Sequence, residues 1–390
     1  MNAGKKAQTS RFLLVSAFLV QSIMGITTIA VPIYADSLGA SPFLLGIIGG
    51  AGGLMNSFVP LVSGALSDRF RRKGFMTFSM CLCSLSCLLY YFSEDPFKLV
   101  AIKMLESVSL ASFWPIVEAL ISDASGENLD ESLRKFNVSW GSAMVVGPFI
   151  GGGLISAFSP KAPFVFALAI AAFVGSASPA LVKEPRKRPA AAGSEGRDSS
   201  RKNGAEAPIA ISLASIFLFS SLGGIVFSLF PAYATNLGIP AYEVGLIMLA
   251  WGVARVATFY GSTEIEKRFS KKGMFVAGSS MLAAASFLIA KSLDFYSFVA
   301  CFLVFGFGGG ISYSASISSI LGRWSFSRGY AAGLFESLIG VGYFLGPLMG
   351  GAISTYGTDS PYVFGSFLGL AVLAIQIAVY AKRPSSNRKR

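Results

Sequence analysis

Five ionisable side chains, Lys103, Glu106, Glu118, Arg255 and Glu336, stand inside long apolar runs of a 390-residue chain. Charges in such surroundings are costly and by default functional: they pair, carry protons or meet a charged solute. Lys103 and Glu106 are spaced i, i+3, close enough on a helix to pair. Lys103 can also snorkel to the nearer surface. Glu106 lies deeper, so it either pairs with Lys103 or holds a proton, as a carboxyl in a proton-driven cycle must. Arg255 and Glu336 sit at matching depths in their runs, and an ion pair between them is expected. Whether that pair is static or switches as Glu336 takes a proton stays open at this stage.

Residue types exclude other chemistries. The chain has no histidine, which removes the usual metal ligand and the usual near-neutral base. Cys81, Cys83, Cys87 and Cys301 lack the spacing of a zinc or redox motif and are read as small apolar packing residues. No nucleophile with a paired base and no Gly-rich phosphate loop is found. No metal, no cofactor and no enzymatic reaction are therefore expected.

The elements that must hold these charges are membrane helices. Of the residues 53% are apolar and 13% charged, too few charges to cover a soluble surface. About 20 apolar residues cross a bilayer as a helix, and twelve such runs follow one another. The first six are approximately Phe12 to Ile33, Phe43 to Leu66, Phe75 to Ser93, Phe97 to Ser122, Phe136 to Phe158 and Pro163 to Val182. The second six are approximately Ile209 to Tyr233, Tyr242 to Ser262, Met274 to Ala290, Phe295 to Leu321, Tyr330 to Ser354 and Pro361 to Ala381. Of the 32 Lys and Arg, the loops on one side hold only Lys98, Lys161 and Lys291, and the spans only Lys103 and Arg255. The rest lie on the side of both termini, which the positive-inside rule places in the cytoplasm. The net charge of +12 is thus topological, and no nucleic-acid partner is expected. The Pro-, Gly-, Ser- and charge-rich stretch 183–207 reads as a flexible cytoplasmic linker. It divides the chain into a six-helix bundle, 1–182, and a second, 208–390, ending in a short basic tail.

The two halves repeat at a single offset. Pro32-Ile-Tyr34-Ala35-Asp-Ser-Leu38-Gly39 matches Pro231-Ala-Tyr233-Ala234-Thr-Asn-Leu237-Gly238, a shift of 199 residues. The same shift pairs Gly46 with Gly245, Arg69-Phe70 with Arg268-Phe269, and Gly147-Pro148-x-x-Gly151-Gly152 with Gly346-Pro347-x-x-Gly350-Gly351. It sets Asn56 and Asn137 opposite Arg255 and Glu336, and Trp114 opposite Tyr313. Parallel six-span repeats can enclose a central site and rock about it, which is transporter architecture. Glycines in the two G-P-x-x-G-G segments offer smooth faces for close helix contact. On span 4, Lys103 and Trp114 lie about 20° apart in helical phase, with Glu118 and Glu106 about 60° to either side.

The segment Gly64-Ala-Leu66-Ser-Asp68-Arg69-Phe70-Arg71-Arg72-Lys73 resembles motif A of the major facilitator superfamily, departing from it at Arg71, where that family usually has Gly. With the twelve spans and the repeat, the resemblance covers essentially the whole chain. It implies the all-α fold of two pseudo-symmetric six-helix bundles, with spans 1, 4, 7 and 10 lining a cavity. It also implies that Asp68 meets the N-terminal end of span 11 to latch the cytoplasmic gate, with Arg69, Arg72 and Lys73 at the lipid surface. Gly147 to Gly152 resemble motif C of antiporters, although plain packing explains the glycines equally. Lys103 and Glu106 stand where motif B of proton-coupled members has Arg and often Gln. Trp114 and Tyr313, facing each other across the cavity, would suit an amphipathic or aromatic solute, with Asn56 and Asn137 as further cavity candidates. The expectation is a monomeric, multi-pass cell-membrane transporter that exports a small amphipathic compound in exchange for protons. Symport of a sugar, organic acid or other metabolite is the alternative within transport, and a non-transporting sensor or partner protein the alternative outside it.

Overall fold

The computed structural model describes residues 3–69, 71–125, 129–182, 209–323 and 328–381. The stretch 183–207 lies outside them. Among the described residues the chain is helical throughout, with no strand, and twelve helical segments are long and apolar enough to cross a membrane. They are Gln8–Ser37, Pro42–Ser63, Arg72–Phe92, Lys98–Ser122, Arg134–Ala157, Ala162–Leu181, Ile209–Asn236, Ala241–Ser262, Glu264–Lys291, Phe295–Ile320, Phe335–Tyr356 and Ser360–Ala381, numbered here as spans 1 to 12. Odd spans start, and even spans end, at the face that carries the basic loops, called here the basic face.

Most of the expected boundaries move by a few residues. The main difference is between spans 8 and 9, which belong to one continuous helix, Ala241–Lys291, turned at Ser270 with φ 58. The polar turn there is a single residue rather than a loop.

The repeat has a direct structural expression at the ends of spans 1 and 7. Gly39 and Gly238 adopt φ 83 and φ 86, a left-handed conformation that costs glycine nothing. At both ends the same pair of bonds closes the helix: Ala40 N–H to the Ala35 carbonyl with Gly39 N–H to Asp36, and Ile239 N–H to Ala234 with Gly238 N–H to Thr235. Span 10 begins at a side-chain cap, where the Asp294 carboxylate accepts from the backbone N–H and the hydroxyl of Ser297.

Within the first half, span 1 packs on spans 5 and 6, and span 3 on spans 4 and 6. The halves meet where span 2 lies on span 11 and span 5 on span 8. Apolar side chains form one cluster within the first half, around Met80, Phe113 and Val174, and a larger one that runs from Ile29, Tyr34 and Phe164 of the first half into Phe230, Phe302 and Phe305 of the second.

Candidate functional site

Two seams join the halves on the side away from the basic face, and both are built from the G-P-x-x-G-G segments. In the first half, Gly147 lies against Gly25 and Ser22 of span 1, and Gly151 against Ile26. Gly152 turns the other way, onto Ala241 and Gly245 of span 8. The second half repeats this at the 199 offset: Gly346 lies against Ser221, Gly350 against Ile225, and Gly351 against Pro42 and Gly46 of span 2. A Cβ on Gly25 would come 2.8 Å from the Gly147 Cα, and one on Gly351 3.0 Å from the Gly46 Cα, so these helices touch backbone to backbone. The same face is closed further by Asn236 Nδ2, which donates to Asp36 Oδ1 at 3.2 Å, and by Tyr242 N–H, which donates to Ser156 Oγ at 3.0 Å. All four residues end or begin spans of opposite halves.

Below the seams lies a cavity of about 290 Å³ lined from spans 1, 2, 4, 5, 7, 8 and 11. Lys103, Glu106 and Asn56 line it on the first-half side. Of the two options open to Glu106, the geometry takes the pair: Lys103 Nζ stands 2.8 Å from Glu106 Oε2. The Tyr90 hydroxyl donates to the same oxygen at 2.9 Å, and Glu106 is fully buried. Its other oxygen, Oε1, has no hydrogen-bond partner among the described residues.

On the second-half side the expected ion pair of Arg255 with Glu336 is not formed. Arg255 is 9% exposed, lines the cavity, and makes no salt bridge among the described residues. Its guanidinium is surrounded instead by four rings, with centroids 5.0 Å away for Phe219, 5.3 Å for Trp251, 5.3 Å for Phe259 and 5.4 Å for Tyr313. Among the described residues its polar contact is from Nη1 to the Met144 thioether at 3.8 Å. The matching depth of Arg255 and Glu336 was legible, but their directions around the helices differ. Glu336 precedes the cavity-lining Tyr343 by seven residues, two helical turns, and so lies on the same face about 10 Å nearer the basic face.

A second correction concerns the aromatic pair. Trp114 and Tyr313 do not meet across the cavity. Trp114 packs against Phe113 and Phe136 of its own half, at 5.4 and 6.1 Å between centroids. Tyr313 belongs to the ring shell of Arg255, packed on Phe219, Phe259 and Phe335. The rings that line the cavity are Phe227, Trp251 and Tyr343, with Phe227 edge-on to Trp251 at 4.8 Å and stacked with Tyr343 at 6.3 Å.

Toward the basic face the cavity widens. Asn56, Glu118, Asn137 and Glu336 are all exposed there. Asn137 precedes the cavity-lining Met144 by seven residues, and Glu118 follows the cavity-lining Ser107 by eleven, so both fall on cavity faces by helical period. Glu336 lies within electrostatic reach of Glu118 and of Arg255, with no ion pair to Arg255. The surroundings of Gly64 and the side chains of Asp68 and Arg69 are outside what the structure describes. Arg72 and Lys73 are half-buried at the start of span 3.

A family model of the Major Facilitator Superfamily matches residues 13–320 and again 211–390, together nearly the entire chain. The chain belongs to the Major Facilitator Superfamily. Among its relatives is an uncharacterized MFS-type transporter of Methanocaldococcus jannaschii, 22% identical over 384 residues that cover 95% of this chain and 97% of that one. The quinolone resistance protein NorA of Staphylococcus aureus is 22% identical over 382 residues, covering 95% and 96%. Among solved structures, the nucleoside transporter NupG superposes with a TM-score of 0.77 at 14% identity, over 98% of this chain and 100% of that one. A bacterial homolog of the human lysosomal transporter Spinster, in an inward-facing and unoccupied conformation, gives 0.74 at 13% identity, over 98% and 96%. At such identities the two structures speak for the fold: this is a multi-pass membrane transporter of the superfamily.

Several residues of the site escaped the sequence reading. The signal for the Arg255 shell was present in span 8 as Trp251, Arg255 and Phe259 at i, i+4 and i+8, one stripe of a helix. The glycine stripe Gly46, Gly49, Gly50 and Gly53 of span 2, which faces Pro347, Leu348 and Tyr343 except at Gly49, where Ser228 is nearest, was readable by the same period. Tyr90 and the Asp36–Asn236 contact carry no local signal.

Proposed function

We propose that this chain is a secondary active transporter that works by alternating access and exports an amphipathic or aromatic compound in exchange for protons. The observation that carries the reading is the cavity between the halves, sealed on one face by two glycine seams and open toward the basic face. That form corresponds to an inward-open state of a cell-membrane protein whose termini are cytoplasmic, as the distribution of Lys and Arg supports. Residues 1–182 and 208–390 are the two rocking bundles and 183–207 the tether between them. Smooth backbone seams let one half roll on the other, and motif A, through Gly64, Asp68, Arg69, Arg72 and Lys73, closes the basic face in the opposite state.

Glu106 is the proton carrier of this scheme. It is buried, it lines the cavity, and Oε1 has no partner among the described residues. Protonation of Glu106 frees the Lys103 ammonium, and that change of charge within the cavity is what biases one orientation of the halves over the other. Glu118 and Glu336, at the wide end, pass protons between the cavity and the cytoplasm. The aromatic wall of Phe227, Trp251 and Tyr343 suits an apolar ring system, and the likeness to a quinolone resistance protein supports export.

Proteoliposomes with an imposed pH gradient test this. Aromatic compounds, sugars and organic acids are added in turn, and proton flux is followed. Exchange of protons for an aromatic compound, abolished by Glu106→Gln and weakened by Glu336→Gln, is the expected result. Movement of protons in the same direction as a sugar or acid would replace export by symport. Silence over the whole panel would overturn transport by this chain.

A further inference from the structure

The two cations that line the cavity differ in their partners, and the difference names a substrate class. Lys103 is neutralised at 2.8 Å by Glu106. Among the described residues Arg255 has no such partner: no carboxylate lies within ion-pair distance, its Nε has no acceptor, and its Nη1 meets a thioether. One turn away, Trp251 Nε1 is a second buried donor without an acceptor. Both residues line the cavity, as do the Phe227 and Tyr343 rings beside them. A buried cation left without a hydrogen-bonding counter-charge is a large cost to the protein. The ring shell offsets part of it, but a ring face accepts no N–H bond in the plane of a guanidinium, whose five donors match a carboxylate in a two-toothed grip.

We infer that Arg255 is the anion-binding residue of the cavity and that the transported compounds are aromatic organic anions. The acid group sits on the Arg255 guanidinium with Trp251 Nε1 at its edge, and the ring system lies along Phe227 and Tyr343. The four rings around Arg255 keep its planar group oriented and dry, which makes each charge-assisted bond to the anion stronger than it would be in water. In the repeat Arg255 corresponds to Asn56, which also lines the cavity, so the unneutralised cation belongs to the second half alone and the solute is held with one end defined.

This inference rests on the transport reading, and the test separates the two. Purified wild-type protein in detergent is titrated calorimetrically with 2-naphthoate and with 2-naphthamide, which keeps the ring and removes the charge. The expected result is naphthoate bound at least tenfold more tightly than naphthamide. Arg255→Gln is expected to abolish that preference, and Arg255→Lys to restore part of it, since an ammonium keeps the charge but not the fork. Equal binding of the two probes by the wild-type protein overturns the inference without recourse to any variant. So does a preference that survives Arg255→Gln. A parallel assay of solute-driven proton flux in proteoliposomes assigns the failure. Exchange of neutral or cationic aromatics with no response to naphthoate refutes the anion site and leaves transport standing. Charge-selective binding with no flux under any gradient refutes transport and leaves the site.

Discussion

Placing a methyl group at Gly351 tests the seam that closes the cavity away from the basic face. An alanine Cβ there would stand 3.0 Å from the Gly46 Cα, 3.0 Å from the Pro42 carbonyl oxygen and 3.1 Å from that of Phe43. All three are backbone atoms, which cannot rotate aside, so spans 2 and 11 must separate by several tenths of an ångström. Overpacking of this kind costs about 1–3 kcal/mol. The penalty applies only while the seam is closed, whereas the gain in helix propensity from Gly to Ala applies in both states and cancels. The equilibrium therefore moves toward the form open at that face by about 5- to 150-fold. Nitroxide labels at Ser37 and Leu237, exposed near the ends of spans 1 and 7, report the change by pulsed dipolar spectroscopy as growth of a longer distance. Gly153→Ala is the control, since a Cβ there meets nothing within 4 Å. If Gly351→Ala leaves the distance distribution like that of Gly153→Ala, the seam is not what holds this face shut.

Asn236→Ala removes the 3.2 Å contact with Asp36, a neutral-to-charged bond at an exposed site worth at most about 1.5 kcal/mol. The same labels should show a shift in the same direction as Gly351→Ala but no more than about tenfold. Gln376→Leu removes two buried bonds, from Nε2 to Ser215 Oγ at 2.9 Å and to Ser279 Oγ at 2.8 Å. At about 0.6 kcal/mol for each such bond in a membrane protein, the thermal midpoint in detergent should fall by a few degrees with transport unchanged; lost transport at unchanged stability would contradict a purely structural role. At the opposite-face loop, the Ser297 hydroxyl and backbone N–H hold the Asp294 carboxyl below the usual aspartate range. Because the folded value is the depressed one, the cap is in force above the unfolded value and is lost as pH falls through the folded one. Protection factors at the start of span 10, which correct hydrogen exchange for its intrinsic pH dependence, should fall in acid in the wild-type protein, and Asp294→Asn should remove that dependence.

Much of the architecture was legible because a bilayer imposes length and apolarity on every span, and because duplication leaves a constant offset. The Lys103–Glu106 contact was among the options that i, i+3 spacing allows. The Arg255–Glu336 pair misled because depth alone does not fix direction: Arg255 turns into rings supplied by spans 7, 8 and 10, while Glu336 follows the Tyr343 face toward the wide end. Phe219 and Tyr313 are brought to Arg255 by tertiary packing that no local period encodes. Trp114 carried the right type for a solute wall, but its neighbours Phe113 and Phe136 offered an apolar surface in its own half. The seal contacts combine residues two hundred or more positions apart, Asp36 with Asn236 and Gly46 with Gly351, and only the docked halves bring them together.

The backbone-to-backbone character of the seams has a consequence for leakage. A barrier made of side chains keeps small crevices that reopen with every rotamer hop, and a file of water through them would conduct protons. Where Gly351 lies on Gly46, and Gly152 on Gly245, no side chain is present to hop. At these two contacts a conducting water thread requires whole helices to part. Insulation of the proton gradient and freedom to rock thus reside in the same glycines.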